Sequence, residues 1–195
     1  MNYGPRFAEA LRRFDDENSR DPNVVTVDGV SQPYELLYSK WVAGWVLRLC
    51  PLPSEALLLA ARCQHICRWT VPRKSYPMTR AGYLKWRADL KQFHAQKSSG
   101  LLREAGYAEG VVARVQELNL KKNLAHDPEC QVLEDALCLV TLQHQLTDLI
   151  EKTESEKMVS ILQKTWKKMS PAAREQALAL PFSEREKELL QRALA

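Results

Sequence analysis

The chain has 195 residues, 45% of them hydrophobic and 27% charged, with a formal net charge of +4. That suits one globular core, with or without a helical extension, and the mild charge excludes a chain coated along its length by nucleic acid. The five cysteines form no C-x-x-C pair, which excludes zinc fingers and thioredoxin-type chemistry.

No secretory leader and no bilayer-length apolar run is visible, so the expected location is the cytoplasm. The cysteines, including Cys63 and Cys67, read as small buried hydrophobes.

Phe7, Leu11 and Phe14 share one face of a helix that starts near Pro5. The segment VVTV at 24–27 lies between the turn formers Asp21-Pro22-Asn23 and Asp28-Gly29 and is read as loop. A wide apolar face from Leu36 to Leu49 predicts a second helix over 33–49, broken by Pro51 and Pro53.

Ser54 N-caps a third helix, EALLLAARCQHICRW, apolar nearly all round and therefore central. On this reading His65 lies mid-helix, with Arg62 and Arg68 on its face. Two buried guanidinium groups there require anionic partners.

A Pro-punctuated loop over 71–78 leads to Thr79, which caps a long helix running to about 104 and ending near Gly100 or Gly106. Arg80, Arg87, Lys91 and His94 make one stripe of that helix basic, and Trp86, Leu90 and Phe93 form its apolar face. Another helix covers 107–120. Asp127 and Pro128 open the next, which runs to about 150 with Glu134 and Asp135 interrupting its apolar face. His126-Asp127 reads as a helix cap, and His144 as exposed.

The remainder reads as a helix over 156–169 and two short ones, opened by Ser170-Pro171 and by Ser183 with Glu186. This stretch carries alternating charge and no candidate site, and is expected to pack or to offer a partner surface. The fold class is all-α, with a domain over 1–150 and a helical extension over 151–195.

The chemistry concentrates between residues 60 and 94. Arg68, Arg73, Arg80 and Arg87 interleave with Tyr76, Tyr83 and Trp86 around a loop stiffened by Pro72 and Pro77. Arginine recognises phosphate and carboxylate through paired N–H groups, and aromatic rings hold a planar ligand. These residues predict a site for an anionic small molecule of the nucleotide kind. Without a long basic run or a nucleic-acid module motif, nucleic acid is not an expected partner.

The run AARCQHICRWTVPRKSYPMTRAGYLKWRADLKQFHA, with LNLKKNL, DPECQVLEDALCLV and LQKTWKKM, resembles an uncharacterised family of small proteins sometimes labelled glutamyl-tRNA synthetase-like. His65-Ile66 and Lys168-Met169-Ser170 echo the two class I synthetase signatures. Cys67 stands where the first signature needs glycine, and no βαβ pattern is present, so synthetase activity is not expected.

A more distant resemblance is to the HD-domain superfamily of all-helical metal-dependent phosphohydrolases. AARCQHICRW is similar to its central helix, with His65 matched and Ile66 in place of the Asp. Tyr38 stands at the position of the first His, His94 at a later ligand position, and LEDALCLVTL resembles the final helix with Asp135 as last ligand. The resemblance implies a divalent metal (Zn, Mn, Fe or Ni) held by His65, His94 and Asp135, with Glu134 or Tyr38 as acid or base. The implied activity is hydrolysis of a phosphorylated small molecule or nucleotide. Two alternatives stand beside it. One is a non-catalytic binding module that keeps the pocket. The other is a scaffold that docks a protein partner through its C-terminal helices, with Trp166 as anchor.

Overall fold

A computed structural model describes residues 3–195. Ten α-helices and one small hairpin make it an all-α protein: α1 Pro5–Asn18, β1 Val24–Val27, β2 Val30–Pro33, α2 Tyr34–Leu49, α3 Glu55–Cys63, α4 Arg80–Glu104, α5 Glu109–Leu120, α6 Pro128–His144, α7 Leu146–Glu151, α8 Ser155–Lys168, α9 Pro171–Leu178 and α10 Glu184–Leu194. Among the described residues no helix is long and apolar enough to cross a membrane.

The expected caps define the helix starts. Ser54 accepts from Leu57 N–H, Thr79 from Gly82 N–H, and Asp127 from both Glu129 and Cys130 N–H. Ser183 and Glu186 close a capping box on α10. The long α4 runs through Gly100 and stops before Gly106, whose φ of 82° takes the left-handed conformation that ends helices.

The core joins all ten helices, α7 through Leu146. Phe14, Val42, Val46, Leu57, Leu59, Ile66, Leu102, Leu118, Leu133, Leu139, Met158 and Leu189 are fully buried in it. Burying side chains of this size stabilises by about 1.5–3 kcal/mol each before chain entropy is counted.

Three expectations are corrected. The segment at 24–27 is a strand, pairing antiparallel with β2 in the register Val24↔Pro33 to Val27↔Val30. The flanking Asp28-Gly29, at φ 51° and 77°, is the tight turn that makes the hairpin rather than a sign of loop. Second, α3 stops at Cys63, so His65 lies in the turn that follows and not mid-helix. That turn is closed by Cys67, at φ 53°, whose N–H is bound by Asn18 Oδ1 at the end of α1. Third, the helix expected to reach 150 breaks at Gln145 into α6 and α7.

Candidate functional site

Five helices and two turns line a pocket of about 710 Å³, α7 contributing Leu149. Tyr34, Glu35 and Tyr38 come from α2, and Gln64, His65 and Arg68 from the turn after α3. Tyr83, Trp86, Arg87, Lys91 and His94 come from α4, and Lys121 from the end of α5. Glu134, Cys138 and Thr141 come from α6, and Lys164, Thr165 and Lys168 from α8.

Each side chain has a local reason for its place. Asp21 Oδ2 accepts Glu35 N–H at the start of α2, which fixes the first turn of that helix over the pocket. Tyr34 packs against Tyr38 at a tilt and edge-on against Trp41. Residues 83, 87, 91 and 94 repeat at helical spacing on α4, so one stripe of that helix forms a wall. Lys121 adopts the left-handed conformation at φ 54° just beyond α5, which turns the chain back toward α6.

The wall is strongly cationic. Arg68, Arg87, Lys91, Lys121, Lys164 and Lys168 face only two carboxylates, Glu35 and Glu134. Lys121 and Lys168 both pair with Glu134, the second at 3.5 Å. Arg68 lies over the Trp86 ring at 4.8 Å and 3.9 Å from Glu35 Oε1. Arg87, Lys91 and Lys164 form no ion pair with a carboxylate among the described residues. Lys91 is half-buried, and its ammonium is held below the usual lysine range by desolvation and by Lys121 and Arg87.

The floor is built from neutral polar groups. Burial pushes Glu35, 4% exposed, up to about 8 despite Arg68 nearby, so its carboxyl is protonated at neutral pH. Burial, aided by Arg68, Lys121 and Arg87, holds His65 well below its usual value. Burial and His65 take His94 down to about 3. Because Ile66 offers only a carbonyl oxygen, 2.9 Å away, His94 Nδ1 must be its N–H donor, leaving Nε2 as a bare lone pair.

Glu35 Oε2, His65 Nδ1 and His94 Nε2 are all buried without a formed hydrogen bond. Such groups cost about 1–3 kcal/mol each when left unmet. The structure keeps three of them at one place, and the centroids of the two imidazoles are 5.7 Å apart.

Of the residues expected to bind an anion, Arg68, Tyr83 and Arg87 line the pocket, with Tyr38, His65, His94 and Glu134. Arg73, Tyr76 and Arg80 do not. Arg73 donates to the carbonyls of Tyr76, Pro77 and Thr79 and so staples the loop before α4. Tyr76 donates to Asp89, and Arg80 is exposed at the start of α4. Of the two arginines flanking His65, Arg62 has its anion in Asp15 on α1, whereas Arg68 lies 3.9 Å from the Glu35 carboxyl, which burial keeps protonated.

Asp135 lies apart from His65 and His94. It is buried on α6, where Oδ1 accepts from Gln131 Nε2 and Ser170 N–H and ties α6 to the start of α9. Among the described residues no three His, Cys, Asp or Glu side chains are grouped to hold a metal ion. The metal set implied by the HD resemblance therefore does not fit this pocket, because its carboxylate is committed to a helix joint.

The C-terminal stretch, read as free of any site, supplies Lys164 and Lys168 to the wall. Trp166 is half-buried beneath Arg174 rather than projecting as an anchor. His144 is exposed and stacks flat on Trp41, and Asp127 caps α6 as expected.

Sequence reasoning missed Glu35, Lys121, Lys164 and Lys168. Glu35 stands in the first turn of α2, where an acid is ordinary, and Lys164 and Lys168 stand in a stretch of alternating charge, so none is singled out by its own neighbours in sequence. The one available signal was LNLKKNL, where Lys121 follows an apolar helix end directly.

No curated protein and no solved structure matches the chain. A family model described as Domain of unknown function (DUF4202) matches residues 8–190, and the chain belongs to that family.

Proposed function

We propose that the protein binds a phosphorylated small molecule of roughly nucleotide size in this pocket. The observation that carries the reading is the uncompensated charge on the wall. Lys91 is desolvated among other cations, and Arg87 and Lys164 lack a carboxylate partner. A ligand with several phosphoryl charges supplies the missing anion, and its removal from water is offset by charge-assisted hydrogen bonds.

The cavity volume falls within the range of small-molecule sites. Tyr83 and Trp86, at the mouth, offer faces for a ring. One element of the wall comes from each of α2, α4, α6 and α8, so the ligand bridges the N-terminal helices and α8.

The test is a thermal-shift and calorimetric screen of nucleotides, sugar phosphates, inorganic phosphate and pyrophosphate. The expected result is a melting temperature that climbs by several degrees at saturating ligand and less at high salt. Arg87→Ala and Lys164→Ala should each weaken binding about tenfold or more, without lowering the melting temperature of the free protein. A full panel with no shift at low salt would sink the reading.

A further inference from the structure

We propose that Glu35 and His65 form a proton relay that delivers a proton to an oxygen of the ligand bound in this pocket. The inference rests on the phosphorylated-ligand reading and adds a chemical step to it.

The geometry is that of a sealed inner contact with one working end. Glu35 Oε2 and His65 Nδ1 are 3.5 Å apart, both buried, and neither has a formed hydrogen bond. A small ring rotation closes that gap, as is common when a ligand tightens a site. The His65 side chain is 22% exposed although Nδ1 is sealed. The exposure therefore lies on the rest of the ring, including Nε2, and that ring lines the pocket.

Two neighbours fix the ring plane. Tyr38 lies flat on one face, and the turn that carries His65 is locked through Cys67 to Asn18. A histidine needed only for packing has no use for a buried carboxyl group aimed at its inner nitrogen. In a relay that carboxyl is the second proton store.

The protons balance. At neutral pH Glu35 is a carboxylic acid that donates toward Nδ1, so the neutral ring carries its own proton on Nε2. On reaction the Nε2–H bond breaks and an O–H bond forms on the ligand. The Glu35 O–H bond breaks and Nδ1–H forms. The ring ends neutral in its other tautomer, Glu35 ends as a carboxylate, and the ligand oxygen has gained one proton. His65 is the group that touches the ligand, and Glu35 is a positioning residue that resupplies it.

The surrounding charges suit this step. Arg68 and Asp21 act on Glu35, and Arg68, Lys121 and Arg87 act on His65. Around the pair the pocket is lined by Tyr34 and Tyr38 of α2, Tyr83, Lys91 and His94 of α4, Glu134 and Cys138 of α6, and Lys164 and Lys168 of α8. The cations favour the carboxylate left after transfer, while burial favours the acid before it. The two groups titrate as one unit, so the pair has a shared apparent midpoint.

The experiment is NMR of the full chain with isotope-labelled histidine nitrogens. It follows His65 from about pH 6 to about pH 10. The expected result is Nε2 protonated and Nδ1 bare at neutral pH, both reversing in a single step near the midpoint of the pair. In Glu35→Gln that step should vanish.

Pyrophosphate is then added to the wild-type protein at neutral pH. A shift of the Nε2 signal, with binding confirmed by calorimetry, supports delivery to the ligand. Binding with no response at His65 overturns the relay and leaves the anion pocket standing. A coupled step without any pyrophosphate binding keeps the dyad and removes the ligand reading on which delivery depends. Should Glu35→Gln fail to fold, the wild-type titration decides: His65 nitrogens unchanged over the whole range overturn the relay.

Discussion

The ring of Tyr38 lies flat on that of His65, with centroids 4.2 Å apart and planes within 9°. Tyr38 is 3% exposed, and burial raises its phenol above the usual range, so it is a neutral plate at physiological pH. Where the HD resemblance expects a ligand histidine, this chain uses an aromatic face to orient an imidazole. Tyr38→Phe keeps that plate and should leave the melting temperature within a few degrees of wild type. Tyr38→Ala opens a cavity and should cost about 3–5 kcal/mol in a denaturant titration. An Ala variant as stable as the Phe variant would show that the stack carries no packing energy.

Asp135 gives a second test, because its geometry assigns it to architecture. Its Oδ1 receives both Ser170 N–H and Gln131 Nε2, joining α6 to the segment that opens α9. Asp135→Ala leaves a buried N–H unmet and should cost about 1–3 kcal/mol. Affinity for pyrophosphate should stay within about twofold of wild type, since distant sites contribute nearly independently. Metal content by inductively coupled plasma mass spectrometry should be the same in both proteins. A metal present in wild type and lost in the variant would restore Asp135 as a ligand.

The helices were legible because their caps are local. Ser54, Thr79, Asp127 and Ser183 each bind N–H groups two or three residues ahead, within reach of a sequence window. The end of α3 was not, because Asn18 holds the following turn from 49 residues away in the chain. The pocket divides the same way. His65, Arg68, Tyr83, Arg87 and His94 fall within one stretch of sequence and were read together. Glu35 and Lys164 reach the pocket only through the packing of α2 and α8, and alone each looks like an ordinary charged helix residue. Asp135 enters the metal set only through the resemblance of LEDALCLVTL to a final HD helix, and a resemblance of sequence carries no information about Ser170 N–H, the partner 35 residues away that binds it.

At Gly82 the loop before α4 packs directly onto the helix backbone. A Cβ built there would lie 2.1 Å from the Pro77 carbonyl oxygen, far inside contact distance. The loop before α4 therefore packs onto that helix through the missing side chain. Arg73 holds the same carbonyl from the other side at 2.8 Å. Gly82→Ala should push the loop off α4 and cost about 1–3 kcal/mol, despite the better helix propensity of alanine. A stabilised variant would mean that the loop moves at no cost. Gly100→Ala is the control, since nothing lies near a Cβ at that position.

Glu134 sets stability against affinity. It is 4% exposed on α6 and pairs with both Lys121 and Lys168. Burial alone would raise its carboxyl, but the two ammonium groups win and hold it below the usual range. Its folded value is depressed, so the stabilisation is full above the ordinary carboxylate value. It is lost as pH falls through the lower folded value. Glu134→Gln should therefore lose about 1–3 kcal/mol at neutral pH, the half-exposed Lys168 reducing the figure, and should show a shallower acid limb. The same change removes the ionised carboxylate from a wall of six cations, since Glu35 is held as the acid. Lys121 and Lys168 become available to the ligand, so affinity for pyrophosphate should rise about threefold to tenfold at low salt. Calorimetry and urea titration on one preparation read both effects. Weaker binding in the variant would mean that Glu134 holds the two lysines in place for the ligand instead of competing with it.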